Sequence, residues 1–311
     1  MQSYIFRVFP LLIASCLLSL ISSCQSGPDD TSAPEGQCTI TFSVTNYMQI
    51  SFDDLSSSAW TRAVPSNHPS TLAHLLVAVY DAETGQQACA PIQHDQKDYA
   101  RNNEAYPKFE VTLSYGHYRL LALGFNGSRG CNIASVNHIS WEGDYVPNTF
   151  LYCEEFTLDK NTNLDQRITL KHVVAALCVE AEDAIPAELK KMRFSSTAGG
   201  TVLDAVTGFT PQSTGRTSEI SVPADSIGKS GVSFTAYLFL PEEQIKSNYT
   251  VQALGKNDAV LFEKQFKDVP LRVNNLTLWQ GRFFEESAEE VNAGLSLYWD
   301  TQWADTLTIA H

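Results

Sequence analysis

Between residues 38 and 284, apolar and polar side chains alternate with a period of two, and this alternation predicts strands with one face turned to a core. In CTITFSV (Cys38 to Val44), Ile40, Phe42 and Val44 share a face, giving a first strand that is half buried and half exposed. LAHLLVAVYDAETGQQ is an apolar run rich in β-branched and aromatic residues that ends in a turn around Thr84 and Gly85. In KFEVTLSYGHYRLLALGFNGSRG, Phe109, Val111 and Leu113 line one face and Tyr115 with Gly116 turns the chain. Tyr118, Leu120 and Ala122 then resume the pattern until Asn126 and Gly127 stop it. Further strands are predicted at EEFTLD, QRITLKHVVAALCVEAE, KMRFSST, SEISVP, VSFTAYLFLP, YTVQALG, AVLFEKQF and LTLWQGRFF. Helical spacing is confined to Ala184 to Lys191, opened by Pro186, and to Pro241 to Ile245. Strands about ten residues apart with turn signals between them predict an all-β chain of sandwich type, and no strand–helix alternation calls for a parallel sheet.

One segment breaks the pattern. Val8 to Ile21 is almost wholly apolar, follows a single cation at Arg7, and at about 14 residues is too short to cross roughly 30 Å of hydrocarbon as a helix. It reads as the core of a signal peptide, residues 1–23. Instead of a small-residue cleavage site, LSLISSC runs straight into Cys24, an arrangement that resembles a bacterial lipobox. In such a motif the thiol takes a diacylglyceryl group, cleavage precedes the cysteine, and the new amine is acylated. Cys16 forms a weaker match that would leave an unusually short apolar region. Acyl chains supply membrane affinity at ~0.8 kcal/mol per buried CH2, so lipidated Cys24 would need no further membrane helix. QSGPDDTSAPEGQ, which follows, is polar and rich in Pro and Gly, so residues 24–37 read as a flexible tether. The acidic pair Asp29 and Asp30 resembles the export signal that sends lipoproteins of the Bacteroidetes to the outer face of the outer membrane.

The net charge of −14 becomes one unit more negative when residues 1–23 leave, because Arg7 is their only charged residue. So acidic a chain is repelled by nucleic acid and by anionic head groups, which makes both poor partners. A polar loop at DKNTNLDQ suggests a division into an amino-terminal sandwich, residues 38–165, and a carboxy-terminal sandwich, residues 166–286. Residues 287–311 form an acidic linker and a tail with two strand-like segments, Leu295 to Tyr298 and Thr306 to Ile309. Strands so isolated need a sheet edge, on this chain or a neighbour's. Leu295, Leu297, Trp299, Trp303, Leu307 and Ile309 are therefore candidate partner contacts. Cys38, Cys89, Cys131, Cys153 and Cys178 show no CxxC spacing, and Cys131 with Cys153 is the candidate for a local disulfide.

Catalytic and cofactor motifs are missing: there is no HExxH, no GxSxG and no GxxxxGK followed by Ser or Thr. GFNGSRG (Gly124 to Gly130) follows a strand, but no helix opens after it, so it reads as a turn and not as a phosphate cradle. His68 and His74 lack an acidic partner at ligand spacing, and His172 lies inside an apolar strand, so no metal or cofactor is expected. Trp141, Trp279, Trp299 and Trp303, with Tyr298, are the residues from which a sugar-stacking platform could be built. The expectation is a non-enzymatic protein, with a glycan-binding surface lipoprotein as the alternative of a different class.

Taken in order, the lipobox, TRA (Thr61 to Ala63), SYGHYRLLALG, LKHVVAALCVEAED, YLFLPEE and VPLRVNNLTLWQGRFF resemble the Bacteroidetes fimbrillin superfamily, in particular the lipoprotein anchor subunits of type V pili. The junction motif departs from the family pattern, which usually carries an Arg where this chain has Lys171 and His172. The resemblance implies two tandem transthyretin-like β-sandwiches, other fimbrial subunits as partners through strand pairing, the outer membrane as partner through the lipid on Cys24, and an adhesive ligand of unspecified kind. In related shaft subunits a trypsin-like protease cuts after an arginine and removes the first strand. Arg62 matches that position, so a shaft or tip subunit processed there is the alternative within the class.

Overall fold

The computed structural model describes residues 36–47, 72–99, 107–285 and 295–299. They all fall in one compact unit, Gly36–His311. The chain is all-β, and its strands build two sandwiches.

The first is made by β1 (Gln37–Tyr47), β2 (His74–Asp81), β3 (Ile92–Asp95), a single helical turn α1 (Gln96–Tyr99), β4 (Lys108–Ser114) and β5 (Gly116–Phe125), with the hairpin β6 (Cys131–Ser135) and β7 (His138–Trp141), then β8 (Thr149–Leu158) and β9 (Asp165–His172). Seven of these strands form one sheet in the order β3-β2-β5-β8-β9-β1-β4. Only two residue pairs, Phe150 with His172 and Leu151 with Lys171, join β8 to β9, and at that joint the sheet folds back on itself. Its two halves then enclose a core in which Ile40, Phe42, Phe109, Val111, Leu120, Phe150, Ile168 and Leu170 are all buried. The period-two pattern is the cause: β4 alternates exposed and buried without a break, from exposed Lys108 to exposed Ser114. Gly124 is required by close approach, since a Cβ there would sit 2.6 Å from Leu72 Cδ1 and 2.9 Å from Leu170 Cδ1.

The second sandwich holds β10 (Ala175–Ala181), β11 (Lys191–Ser196), β12 (Arg216–Ser221), β13 (Val232–Leu238), β14 (Gln244–Leu254), β15 (Val260–Arg272), β16 (Asn275–Gly281) and β17 (Leu295–Trp299). Two four-stranded sheets, β13-β10-β16-β17 and β12-β11-β14-β15, face each other. Leu177, Val179, Phe194, Phe234, Val251, Phe266 and Trp279 fill the space between them. Every residue of β10 is buried, because this strand is covered on both faces, which explains the unbroken apolar run AALCV.

A third apolar cluster joins the sandwiches. The outward faces of β2 and β5 (Leu76, Ala78, Leu121, Leu123) pack under Ile139 and Trp141 of the β6–β7 hairpin and against Val174, Leu203 and Phe239. Backbone hydrogen bonds reinforce it: Ile139 N–H donates to Leu203 O at 2.9 Å, Leu203 N–H to Ile139 O at 2.8 Å, and Ala205 N–H to Val136 O at 2.9 Å.

Both predicted helices are corrected. Ala184 to Lys191 is an irregular segment whose Ile185 and Leu189 are buried in the second core, and whose Ile185 N–H donates to Lys229 O at 2.9 Å and Lys190 N–H to Leu254 O at 2.8 Å. Pro241 to Ile245 runs into β14, where Gln244 and Ile245 pair with Arg272 and Leu271. Tertiary pairing overrode a local spacing in both places. Because β9 lies in the first core, the passage from one sandwich to the next falls at Val173 and Val174, beyond the polar loop at 159–166.

Candidate functional site

β1 is the strand on which the functional reading turns, since it is the first element the structure describes. It is not a sheet edge. On one side it pairs antiparallel with β4 from Gln37–Ser114 to Ser43–Lys108, and on the other parallel with β9 from Thr41–Asp165 to Tyr47–Leu170, with a bulge after Val44. Ile40, Phe42 and Val44 point into the core at 0%, 1% and 4% exposure, as the alternation predicts, and the Phe42 ring meets Phe156 edge-on at 5.7 Å. Burying three such side chains stabilises the sandwich by roughly 5–9 kcal/mol, an upper figure because the unfolded chain already buries part of that surface. On the polar face, the Thr39 and Thr112 hydroxyls hydrogen-bond at 2.8 Å.

The ends of β1 define a direction. At its start, Tyr115 N–H in the β4–β5 turn donates to Gly36 O at 2.9 Å. β9 runs parallel to β1, and its far end, His172, leads through Val173 and Val174 into β10. The chain thus enters the first sandwich at one end of the β1–β9 ladder and leaves for the second at the other.

His172 is placed at that exit. Its Nε2 lies 2.5 Å from Asn148 Oδ1 in the first sandwich and its Nδ1 lies 3.0 Å from Asn274 Oδ1 in the second, and the ring stacks on Phe150 at 4.6 Å. Burial pushes its pKa down to about 4, opposed in part by the Asn274 hydrogen bond. A cleft of about 270 Å³ opens beside it, lined by Tyr152, Cys153, Glu154, Lys171, Phe209 and Glu243 among others.

The residues singled out in the sequence are dispersed. Cys24 and Arg62, like the expected signal peptide, lie outside the described residues, as do Trp303, Leu307 and Ile309. Leu295, Leu297 and Trp299 belong to β17, which pairs antiparallel with β16 of its own chain, Leu297 opposite Thr277. β17 thus lies on its own chain, one of the two placements the sequence left open, and stands at the edge of its sheet. Cys131 and Cys153 are free thiols, a correction to the expected clip. Both pack beside the junction cluster, and burial raises their pKa to about 12 and about 11 respectively. Trp279 packs the second sandwich and Trp141 the junction cluster, each only 3% exposed, so neither is available to a sugar-stacking platform. In GFNGSRG, Arg129 donates to Glu142 O at 3.1 Å and lies over the Tyr145 ring, and Gly127 at φ 131° leaves room for that ring. The glycines therefore serve loop packing. Among the described residues no three His, Cys, Asp or Glu side chains are grouped to hold a metal. The β6–β7 hairpin was not foreseen, although Val136–Asn137 between Ile133 and Ile139 is a turn flanked by apolar positions.

These features define an all-β protein of two fused sandwiches whose first strand is internal to a sheet. The chain belongs to the family DUF6562, a family of unknown function, whose model matches residues 31–309. Among solved structures, it is similar to a candidate adhesin of Bacteroides ovatus, at 12% identity over 73% of this chain and 77% of that one with a TM-score of 0.45. It is similar also to the tip fimbrial protein Mfa3 of Porphyromonas gingivalis (11% identity, 84% and 99% covered, TM-score 0.40) and to the fimbrial anchor protein Mfa2 of the same organism (15%, 73% and 81%, 0.33). No curated protein matches the chain.

Proposed function

We propose that this chain is a surface lipoprotein of fimbrial type, held in the outer membrane by acyl chains on Cys24 and acting as the anchor or a minor subunit of a pilus. It joins neighbouring subunits by strand pairing and carries out no catalysis. The observation that supports this reading best is the course of β1. A pull arriving from the tether at Gln37 and leaving toward the second sandwich at His172 acts on opposite ends of two parallel neighbours, β1 and β9. Such a pull loads the ladder in shear, so its hydrogen bonds resist together and are not peeled apart one at a time. An anchor needs that property. Strand pairing also suits assembly, because backbone groups supply strength and alternating side chains supply register.

Replacing Cys24 by Ala tests the membrane claim: the protein should move from the membrane fraction to the soluble fraction. Retention of the variant on the membrane would overturn it. Processing after Arg62 would separate β1 from the rest of the first sandwich and convert the anchor into a polymerising subunit.

A further inference from the structure

We infer that the outer edge of β4 is a homotypic docking site, at which two copies of this chain pair antiparallel, β4 to β4, about a two-fold axis at Val111. Exposed sheet edges are normally blunted, and the other terminal strands of these sheets are blunted or shorter than β4. β15 carries Asp268 at a positive φ of 51° and Pro270, which has no N–H to give. β3 is four residues long and turns into α1. β13 runs on into the Gly200–Phe239 bridge, and at the start of β12 the Arg216 guanidinium reaches the Tyr237 carbonyl at 2.8 Å. β17 is only five residues long.

β4 has none of these devices. It is seven residues long, contains neither Pro nor Gly, and pairs with β1 in an unbroken register. Because Tyr115 N–H points to Gly36 O in β1, Leu113, Val111 and Phe109 point the same way, and the N–H and C=O groups of Lys108, Glu110 and Thr112 point away from β1. Among the described residues no backbone hydrogen bond reaches those outward groups.

The second copy is favoured as occupant by the strand's own sequence. With Val111 opposite Val111, all seven residues overlap, Lys108 falls opposite Ser114 and Glu110 opposite Thr112. No like charges are directly opposed, and the two outward sets of backbone groups meet each other in the alternation that an antiparallel ladder needs. The contact is isologous and closed, so it gives a dimer and not a fibre.

The test uses the mature chain, residues 24–311, with Cys24→Ser to keep it in solution. Sedimentation over a concentration series should show a reversible dimer. Thr112→Pro removes one outward N–H from each copy and leaves the β1 ladder intact, so it should weaken the dimer by about tenfold or more while the thermal melt of the monomer stays close to wild type. Amide hydrogen exchange on the unmutated chain gives an independent reading: the Glu110 and Thr112 amides should slow as concentration rises, and the Val111 amide, already bonded to β1, should not change. A monomer at every concentration, a dimer indifferent to Thr112→Pro, or exchange at Glu110 and Thr112 that does not depend on concentration would each overturn the inference.

Discussion

Replacing Phe42 by Ala probes whether the strand next to the tether is a structural member of its sandwich or a detachable strap. The ring is 1% exposed and stands edge-on to Phe156 at 5.7 Å, so truncation removes both its burial and an aromatic pair. Phe-to-Ala changes in packed cores cost about 3–5 kcal/mol, the spread depending on how far the cavity collapses. Here β4 and β9 hold β1 on both sides, and Val111 and Ile168 are fixed by their own ladders, so collapse is limited and the upper half of that range is expected. At roughly 2 °C per kcal/mol for a chain of this size, the melting temperature should fall by roughly 8–10 °C. Thr39→Ala, on the exposed face of the same strand, loses only a hydroxyl contact with Thr112 and should change stability by less than about 1 kcal/mol. Scanning calorimetry of the two variants beside the parent chain makes the comparison. A Phe42→Ala protein that melts with the parent would refute the claim that β1 is built into the core.

His172 should make stability pH-dependent. Its pKa falls from 6.5 to about 4 on folding, so the unfolded chain takes up a proton that the folded chain refuses. The contribution is complete above pH 6.5, is lost as pH falls from there toward 4, and amounts to about 3 kcal/mol at most. Urea unfolding at pH 7 and pH 4.5 should therefore show a smaller loss for His172→Gln than for the parent chain. Leu203→Ala empties a fully buried position at the junction, where about 2–5 kcal/mol is at stake, and should split one calorimetric transition into two as the sandwiches uncouple. Cys131 and Cys153, held as protonated thiols by burial, should resist iodoacetamide at pH 8 in the folded protein and react promptly in urea; rapid labelling of the native chain would contradict their placement beside the junction cluster.

The strand content was legible where one face meets a core and the other meets water. β4 shows this alternation in full and β1 shows it through Val44, and the inward residues of both could be named from the sequence. Legibility failed where burial is two-sided or set by distant partners. β2 and β10 read simply as apolar, and nothing in HLLVAVY says that its outer face packs under Ile139 and Leu203, far along the chain. Ile185 and Leu189, four residues apart, imitate a helix face, yet each is held by a loop or strand end that local spacing cannot reveal. Trp141 looked available as a sugar platform for the same reason, since the sheet and the strand segment that bury it are remote in sequence. The place of β1 between β4 and β9 was likewise out of reach, because alternation tells which face is buried and not which strands lie alongside.

Intact-mass measurement of the amino terminus of protein taken from cells bears most directly on the idea that a lipid tether leads unbroken into the internal strand of the first sandwich. An acylated Cys24 followed by the complete chain is the expected result. A terminus at Ala63, with β1 cut from the body, or a Cys24 that carries no lipid, would contradict it.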